Sequence, residues 1–392
     1  MMFHPFRALS TPAGKPWRLL TLTLALALGF AAGKHALQDV KASRRLPESL
    51  PAGEFSRMIQ EFSEEGGYFH SDNFTSNETG YLTVVDKLRD LGATGGAYIG
   101  VGPEQNFTYI AKTHPRIAFI VDIRRQAMIQ HLMYKAIFQH SEDRVHFLSL
   151  LLSRPLTGRD PPGRGASLDQ IVNYFTKTPP SESAFVANLA TIGKTIRDNF
   201  RVPLTAQDQT SLEYVYGAFR DDGLNLSFRM GYGHFPALKD LIEQPDPKGK
   251  PGNFLATDED YSFVRDLQRR NRVIPVVGDF AGPKALKAVG AYLRKNSYSV
   301  NVFYTSNVEQ FLFRGGFFSA FAENVRSLPI TSESLFIRSV PNMWRQQPIR
   351  YQYPGARMTT MLQKMSVFLK DYDGGVYQDY RYLISTHYIP LD

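Results

Sequence analysis

The chain has 392 residues, of which 43% are hydrophobic and 21% charged, ordinary values for a globular protein of one large domain or two modest ones. It contains no cysteine, which excludes disulfides, thiolate metal sites and cysteine nucleophiles. The formal net charge of +8 is spread widely, so the composition gives no specific signal for nucleic-acid binding.

The N-terminal segment is predicted to be a targeting signal and not part of the fold. Arg7, Lys15 and Arg18 precede an apolar run from Leu19 to Gly33. This run is shorter than the roughly 20 residues of a bilayer span and suits the apolar core of a secretory signal. We therefore assign residues 1–33 to a signal peptide or anchor. The protein is expected to be exported, either periplasmic or held outside the cytoplasm by this segment if it is uncleaved.

The region after the leader begins with two predicted helices. Apolar residues from Phe55 to Phe62 recur at helical spacing, which predicts a short amphipathic helix. Ser76 is expected to cap the next helix, which Gly92 ends.

Segments with strand and helix character then alternate on both sides of a mostly helical stretch. Runs such as "RIAFIVDI" are apolar without alternation, which is typical of strands buried on both faces. The segment "ARMTTMLQKMSVFLKDY" is predicted to be a helix, and "YRYLISTHYI" a last strand. This alternation predicts an α/β fold, a Rossmann-like open and mostly parallel sheet with helices on both faces and a large helical insertion. The predicted organisation is a linker with a short helix at 34–63, the first half of the Rossmann-like domain at 64–144, the helical insertion or cap at 145–272, and the second half at 273–392.

Ligands of such folds lie beyond the carboxyl ends of the strands, and the first two ends carry suitable residues. Gly100 and Gly102 stand in a turn where glycine lets a backbone approach a ligand, with a helix behind it. Asp122 follows Gly100 by 22 residues, an interval that suits an acid reaching ribose hydroxyls. Arg124 and Arg125 next to it could form a phosphate cradle, or an ion pair with Asp122.

Two further strand ends complete the predicted pocket. Asp279 could accept a hydrogen bond from an adenine amine, and the ring of Phe280 could pack on the adenine. Asn307 and Glu309 would face the substrate, with Glu309 as the general base. The full set of candidates for binding the cofactor is Gly100, Gly102, Pro103, Glu104, Gln105, Asn106, Asp122, Asp279, Phe280, Asn77 and Glu78.

The phrases "YIGVGPEQNFTYIA", "FIVDIRR", "NVFYTSNVEQFLF" and "SDNFTSNET" resemble an uncharacterised family of bacterial proteins, often predicted to be exported or lipoproteins. The arrangement is similar to the Rossmann-like fold of class I S-adenosylmethionine-dependent methyltransferases. That resemblance implies S-adenosylmethionine as the cofactor. It assigns Gly100 and Gly102 to the cofactor's methionine end, Asp122 to the ribose, and Asp279 with Phe280 to the adenine. Tyr98 stands where the methyltransferases usually carry an acid.

Two alternative functions remain at this stage, and a metal site was also considered. The same crevice could serve a non-catalytic exported protein that binds another small molecule or a partner. Ser306 near a strand end could support a hydrolase, although it lies in no G-x-S-x-G elbow. His131, His140 and His146 are close in sequence, but packing or surface exposure explains them better than a metal, and no metal site is predicted.

Overall fold

The structure, a computed structural model, describes residues 48–157, 160–228, 235–342 and 358–391. The predicted leader lies outside these residues, so export stays a prediction. Among the described residues, no helix combines the length and the apolar character needed to cross a membrane.

Six strands form one open sheet. In chain order they are β1 (Ala97–Gly100), β2 (Ile117–Asp122), β3 (Val273–Val277), β4 (Val300–Ser306), β5 (Ile330–Pro341) and β6 (Met358–Lys364). Their order across the sheet is β3-β2-β1-β4-β5-β6, and every neighbouring pair is parallel except β5 with β6. The first three strands are buried at every position, as expected for strands covered on both faces. The predicted open, mostly parallel sheet is confirmed.

Helices cover both faces of the sheet. The α-helices are α1 (Ala52–Phe62), α2 (Val85–Asp90), α3 (Gln105–Thr113), α4 (Arg125–His140), α5 (Arg144–Leu151), α6 (Leu168–Lys177), α7 (Glu182–Lys194), α8 (Ala206–Asp222), α9 (Leu238–Ile242), α10 (Asp258–Arg269), α11 (Ala285–Lys295), α12 (Val308–Gly315), α13 (Phe318–Arg326), α14 (Met365–Asp373) and α15 (Tyr380–Ser385). Helices α1, α11, α13 and α14 form one layer, whereas α3, α4 and α10 pack together in another. The helices α5 to α10 lie between α4 and β3 in the chain, which confirms a large helical insertion in the fold.

The C-terminal region differs from the prediction in two places. The first part of the predicted helix, Met358–Lys364, is strand β6, because it pairs antiparallel with the long strand β5. Only Met365–Asp373 is helical. The predicted last strand is instead helix α15. Asp379 caps the start of this helix, because its side chain accepts hydrogen bonds from the backbone N–H groups of Arg381 and Tyr382.

The predicted cap at Ser76 is also wrong. A 3₁₀ turn begins only at Tyr81, after Gly80 at φ 86°, and it leads into α2. The Ser76 hydroxyl donates instead to Gln105 at the start of α3, so it holds two separate segments together.

Candidate functional site

A crevice opens where the strand order reverses, between β1 and β4. Its volume is about 1150 Å³, and it is lined by residues that follow each of the first four strands. Parallel sheets of this order bind ligands at this switch point. Pockets for a single small molecule span roughly 300–1,000 Å³, so the crevice is large enough for a ligand of nucleoside size with space to spare.

The turn after β1 reaches the crevice through Gly102 and Pro103 but not through Gly100. A Cβ on Gly100 would overlap Asn106 Oδ1 and the ring of Tyr98. Asn106 Nδ2 in turn donates to the backbone oxygens of residues 101, 102 and 103, at 2.9, 3.1 and 2.8 Å. Gly100 therefore makes room for the side chain that fixes the turn, and Gly102 supplies the positive φ of 80°.

The first turn of α3 is covered by protein. Glu104 Oε1 accepts from the Thr75 hydroxyl at 2.8 Å and from the backbone N–H of Ser76 at 3.2 Å. Burial raises the pKa of Glu104 to about 7. Glu104, Gln105 and Asn106 do not line the crevice. The start of α3 is therefore buried beneath the segment of Thr75 and Ser76 and is not open to a phosphate, so the geometry disfavours a pyrophosphate site here.

Asp122 lines the crevice at the end of β2, but Arg124 holds both of its oxygens. Arg124 Nε donates to Oδ1 at 3.0 Å and Nη2 to Oδ2 at 2.9 Å. Arg125 is paired with Asp208 in the helical insertion, again through two hydrogen bonds. The prediction that Asp122, Arg124 and Arg125 form a phosphate cradle is therefore wrong, because both guanidinium groups already bind carboxylates. The alternative, an ion pair of Arg124 with Asp122, is confirmed.

Asp279 and Phe280 line the crevice beside Asp122. The two strand ends are held together because Gly278 N–H donates to the backbone oxygen of Asp122 at 2.9 Å. Asp279 Oδ1 accepts from the backbone N–H of Ala281 at 2.8 Å, while Oδ2 has no hydrogen bond within the described residues.

A second carboxylate occupies the start of α11. Glu64 accepts from the backbone N–H groups of Lys284 and Ala285 at 2.7 and 2.6 Å. It also accepts from Asp279 N–H at 3.3 Å. The helix start after β3 is thus satisfied by the protein's own anion.

The end of β4 contributes Ser306 and Asn307 to the crevice, but Glu309 does not line it. Glu309 is fully buried and turned toward β5, where its Oε1 accepts from Arg338 Nε at 2.7 Å. Its Oε2 accepts from the Thr305 hydroxyl at 3.0 Å. Glu309 therefore lies outside the predicted substrate side and has a structural partner.

Glu78 lines the crevice, where Glu309 had been expected, and Asn77 lines it as well. The Ser306 hydroxyl donates to Glu78 Oε1, and Gln105 Nε2 donates to Oε2 at 2.9 Å. Burial raises the pKa of Glu78, and the hydrogen bonds from Ser306 and Gln105 oppose that rise.

The sequence reasoning missed an aromatic rim, which we define as Tyr68, Phe69, Phe311 and Phe317, all lining the crevice. The rings of Phe69 and Phe311 meet edge to face with centroids 5.6 Å apart. The only signal was the aromatic residues in "GGYFH" and "QFLFRGGFF", which flank the predicted loops.

The sequence profile of one protein family, a domain of unknown function (DUF7790), matches residues 73–155 and 167–384. These ranges contain β1 to β6 and most of the residues that line the crevice. A search of curated proteins found no match.

Proposed function

The chain belongs to DUF7790, a family of unknown function, and we propose from its own crevice that it binds S-adenosylmethionine or a related adenosyl ligand without a phosphate. The observation that carries the proposal is the combination of two features. Acids follow two adjacent strands at the switch point, Asp122 and Asp279. The start of α3 is buried, and the start of α11 already holds the carboxylate of Glu64. A ligand with ribose hydroxyls and an adenine fits this set better than a dinucleotide.

The residues present fit the adenosyl part of such a ligand. Asp279 Oδ2 is an open acceptor for the adenine amine, and Phe280 lies beside it on the crevice wall. Asp122 is held rigidly by Arg124, so its carboxylate can accept from a ribose hydroxyl without further ordering. The turn after β1 presents Val101, Gly102 and Pro103 to the crevice, none of which carries a polar side chain.

Methyl transfer is the reaction that we propose for the crevice. Bound S-adenosylmethionine would supply an electrophilic methyl group on a sulfonium ion. The chain's part is to position the acceptor and to take its proton, because no protein nucleophile is needed. Glu78 is placed for the proton, since it is the carboxylate that lines the crevice next to Ser306 and Asn307. The predicted role of Glu309 as a base is not carried forward, because that side chain does not reach the crevice.

Calorimetric titration of the full chain tests the proposal. We expect S-adenosylhomocysteine to bind, and we expect NAD⁺ to bind far more weakly, because the start of α3 is buried and the start of α11 already holds Glu64. Asp279→Asn should weaken S-adenosylhomocysteine roughly tenfold or more, since it removes a charged acceptor. Asp169→Asn, the same change at an exposed position of α6, is the control. The absence of heat with S-adenosylhomocysteine, or equal affinity in wild type and Asp279→Asn, would contradict the proposal.

A further inference from the structure

Glu78 is a buried acid that has no cationic partner among the residues that the structure describes. Its residue exposure is 1%, and it lines the crevice. Its hydrogen bonds come from the neutral groups of Ser306 and Gln105, and no lysine or arginine in the described part of the chain forms an ion pair with it. Three other buried carboxylates, Asp122, Asp208 and Glu309, each hold an arginine.

A second buried acid, Glu104, likewise pairs with no cation among the described residues, and it shows what is particular about Glu78. Burial raises the pKa of both acids, but Glu104 does not line the crevice, so no ligand can reach it. Glu78 differs because both of its oxygens accept hydrogen bonds and a ligand can approach it. An ionised carboxylate accepts on both oxygens, and its burial is costly unless a positive charge comes close.

Among the described residues, no cation of the lining forms an ion pair with Glu78. Arg124 is committed to Asp122, and Arg314 is an exposed residue of the lining. Asp122 and Asp279 follow β2 and β3, whereas Glu78 accepts from Ser306 at the end of β4. Glu78 is therefore the acid on the β4 side of the crevice, and the described residues leave its counterion to the ligand.

The aromatic rim indicates the rest of the ligand. Tyr68 is 86% exposed and Phe317 is 59% exposed, which is unusual for large apolar side chains that line one crevice. Aromatic faces attract organic cations and cover apolar groups. Phe311 belongs to α12, the helix that starts two residues after Ser306, and Ser306 donates to Glu78. Phe311, which contacts Phe69 of the rim, therefore lies on the element next to the Glu78 site.

We propose that the crevice binds an organic amine as its ammonium ion, with the nitrogen on Glu78 and Ser306 and an apolar or aromatic body against the aromatic rim. This inference rests on the proposed function and deepens it by giving the class of the second ligand, the methyl acceptor. The ammonium nitrogen must first give a proton to Glu78, and its freed electron pair then bonds to the methyl carbon while the bond from that carbon to the sulfonium sulfur breaks. It uses residues other than those assigned to the adenosyl ligand. Amine binding can therefore be measured without that ligand.

The test is titration of the full chain with 2-phenylethylamine and with 2-phenylethanol, near neutral pH and without added cofactor. The two probes share a phenyl ring and chain length and differ in charge. We expect the amine to bind about tenfold tighter or more, as for a hydrogen bond to a charged group. Glu78→Gln should remove this preference and keep the weaker binding of the alcohol, because glutamine preserves the shape. Glu259→Gln, on the exposed side of α10, should leave both affinities unchanged.

A second variant keeps the inference falsifiable if Glu78→Gln folds poorly. Phe317→Ala, at an exposed position, should weaken the amine and the alcohol by similar factors. Equal affinity for the two probes in wild type would overturn the inference, as would an amine preference that survives in Glu78→Gln. Amine binding that depends on Glu78 without any binding of S-adenosylhomocysteine would support this inference and remove the proposed function. Binding of S-adenosylhomocysteine without amine binding that depends on Glu78 would support the proposed function and overturn this inference.

Discussion

Replacing Arg338 by methionine is expected to lower the free energy of unfolding by about 3–5 kcal/mol, the usual cost of breaking a buried ion pair. Arg338 is fully buried, its Nε donates to Glu309 Oε1 at 2.7 Å, and its Nη1 donates to Gln363 Oε1 at 2.7 Å. Burial raises the pKa of Glu309, and the Arg338 guanidinium opposes that rise. Without Arg338, the carboxylate would be left unpaired between β5 and α12.

Urea unfolding measures this loss of stability, and variants of Glu309, the partner of Arg338, provide the comparison. Glu309→Gln should be destabilising too, because it leaves a buried guanidinium without its counterion. The double variant Glu309→Gln with Arg338→Met should regain much of the loss, since neither charge is then buried. Binding of S-adenosylhomocysteine by the folded Glu309→Gln protein should match that of wild type. A loss below about 1 kcal/mol in Arg338→Met would show that the pair is not a structural one.

Replacing Lys135 by methionine is expected to stabilise the protein at neutral and acidic pH. Lys135 lies on α4 with its ammonium between the rings of Phe55 and Phe200, at 4.7 and 4.8 Å from the centroids, and it donates to the backbone oxygen of Gln268. Burial lowers its pKa to about 7. The folded state therefore binds fewer protons than the unfolded state between this value and the ordinary lysine pKa of about 10.4.

The sign of the effect follows from this difference in proton binding. Stability rises with pH through that window, and the full cost of the buried charge is felt below pH 7. The shift corresponds to roughly 5 kcal/mol, from which the contacts with the two rings subtract about 1–2 kcal/mol. Lys135→Met should thus gain about 3 kcal/mol near pH 6, and the gain should vanish toward pH 10.

Thermal unfolding of wild type and Lys135→Met across this pH range gives the readout. Lys287→Met, at an exposed position of α11, is the matched control and should change stability little at any pH. A wild-type stability that does not rise between pH 7 and 10 relative to Lys135→Met would contradict the assignment.

The sequence predicts the parallel part of the sheet well because its signals are local. Ile117–Asp122 and Val273–Val277 are short apolar runs bounded by turns, and their burial on both faces removes any alternation. Strand β6 carries no such signal. Met358, Met361 and Leu362 suit a helix as well as a strand, and the pairing with β5 that decides between them is not written in the local sequence.

The candidate site, like the sheet, was predictable only where the order of elements or the local sequence decides the structure. Asp122 and Asp279 lie in one crevice because strands that are adjacent and parallel end at the same edge, which the order of elements makes predictable. The direction of Glu309 was not predictable, since it depends on Arg338, 29 residues further along the chain. Gly100 was assigned to a ligand because the pattern of the turn does not reveal that Asn106 fills the space beside it.

The claim on which the functional account depends is that the crevice at the switch point holds an adenosyl ligand. A crystal structure of the full chain grown with S-adenosylhomocysteine tests it most directly. The account predicts density in the crevice, with the ribose hydroxyls at Asp122 and the adenine amine at Asp279. Density for the ligand at another place, or a crevice without density while the ligand is in large excess, would contradict it.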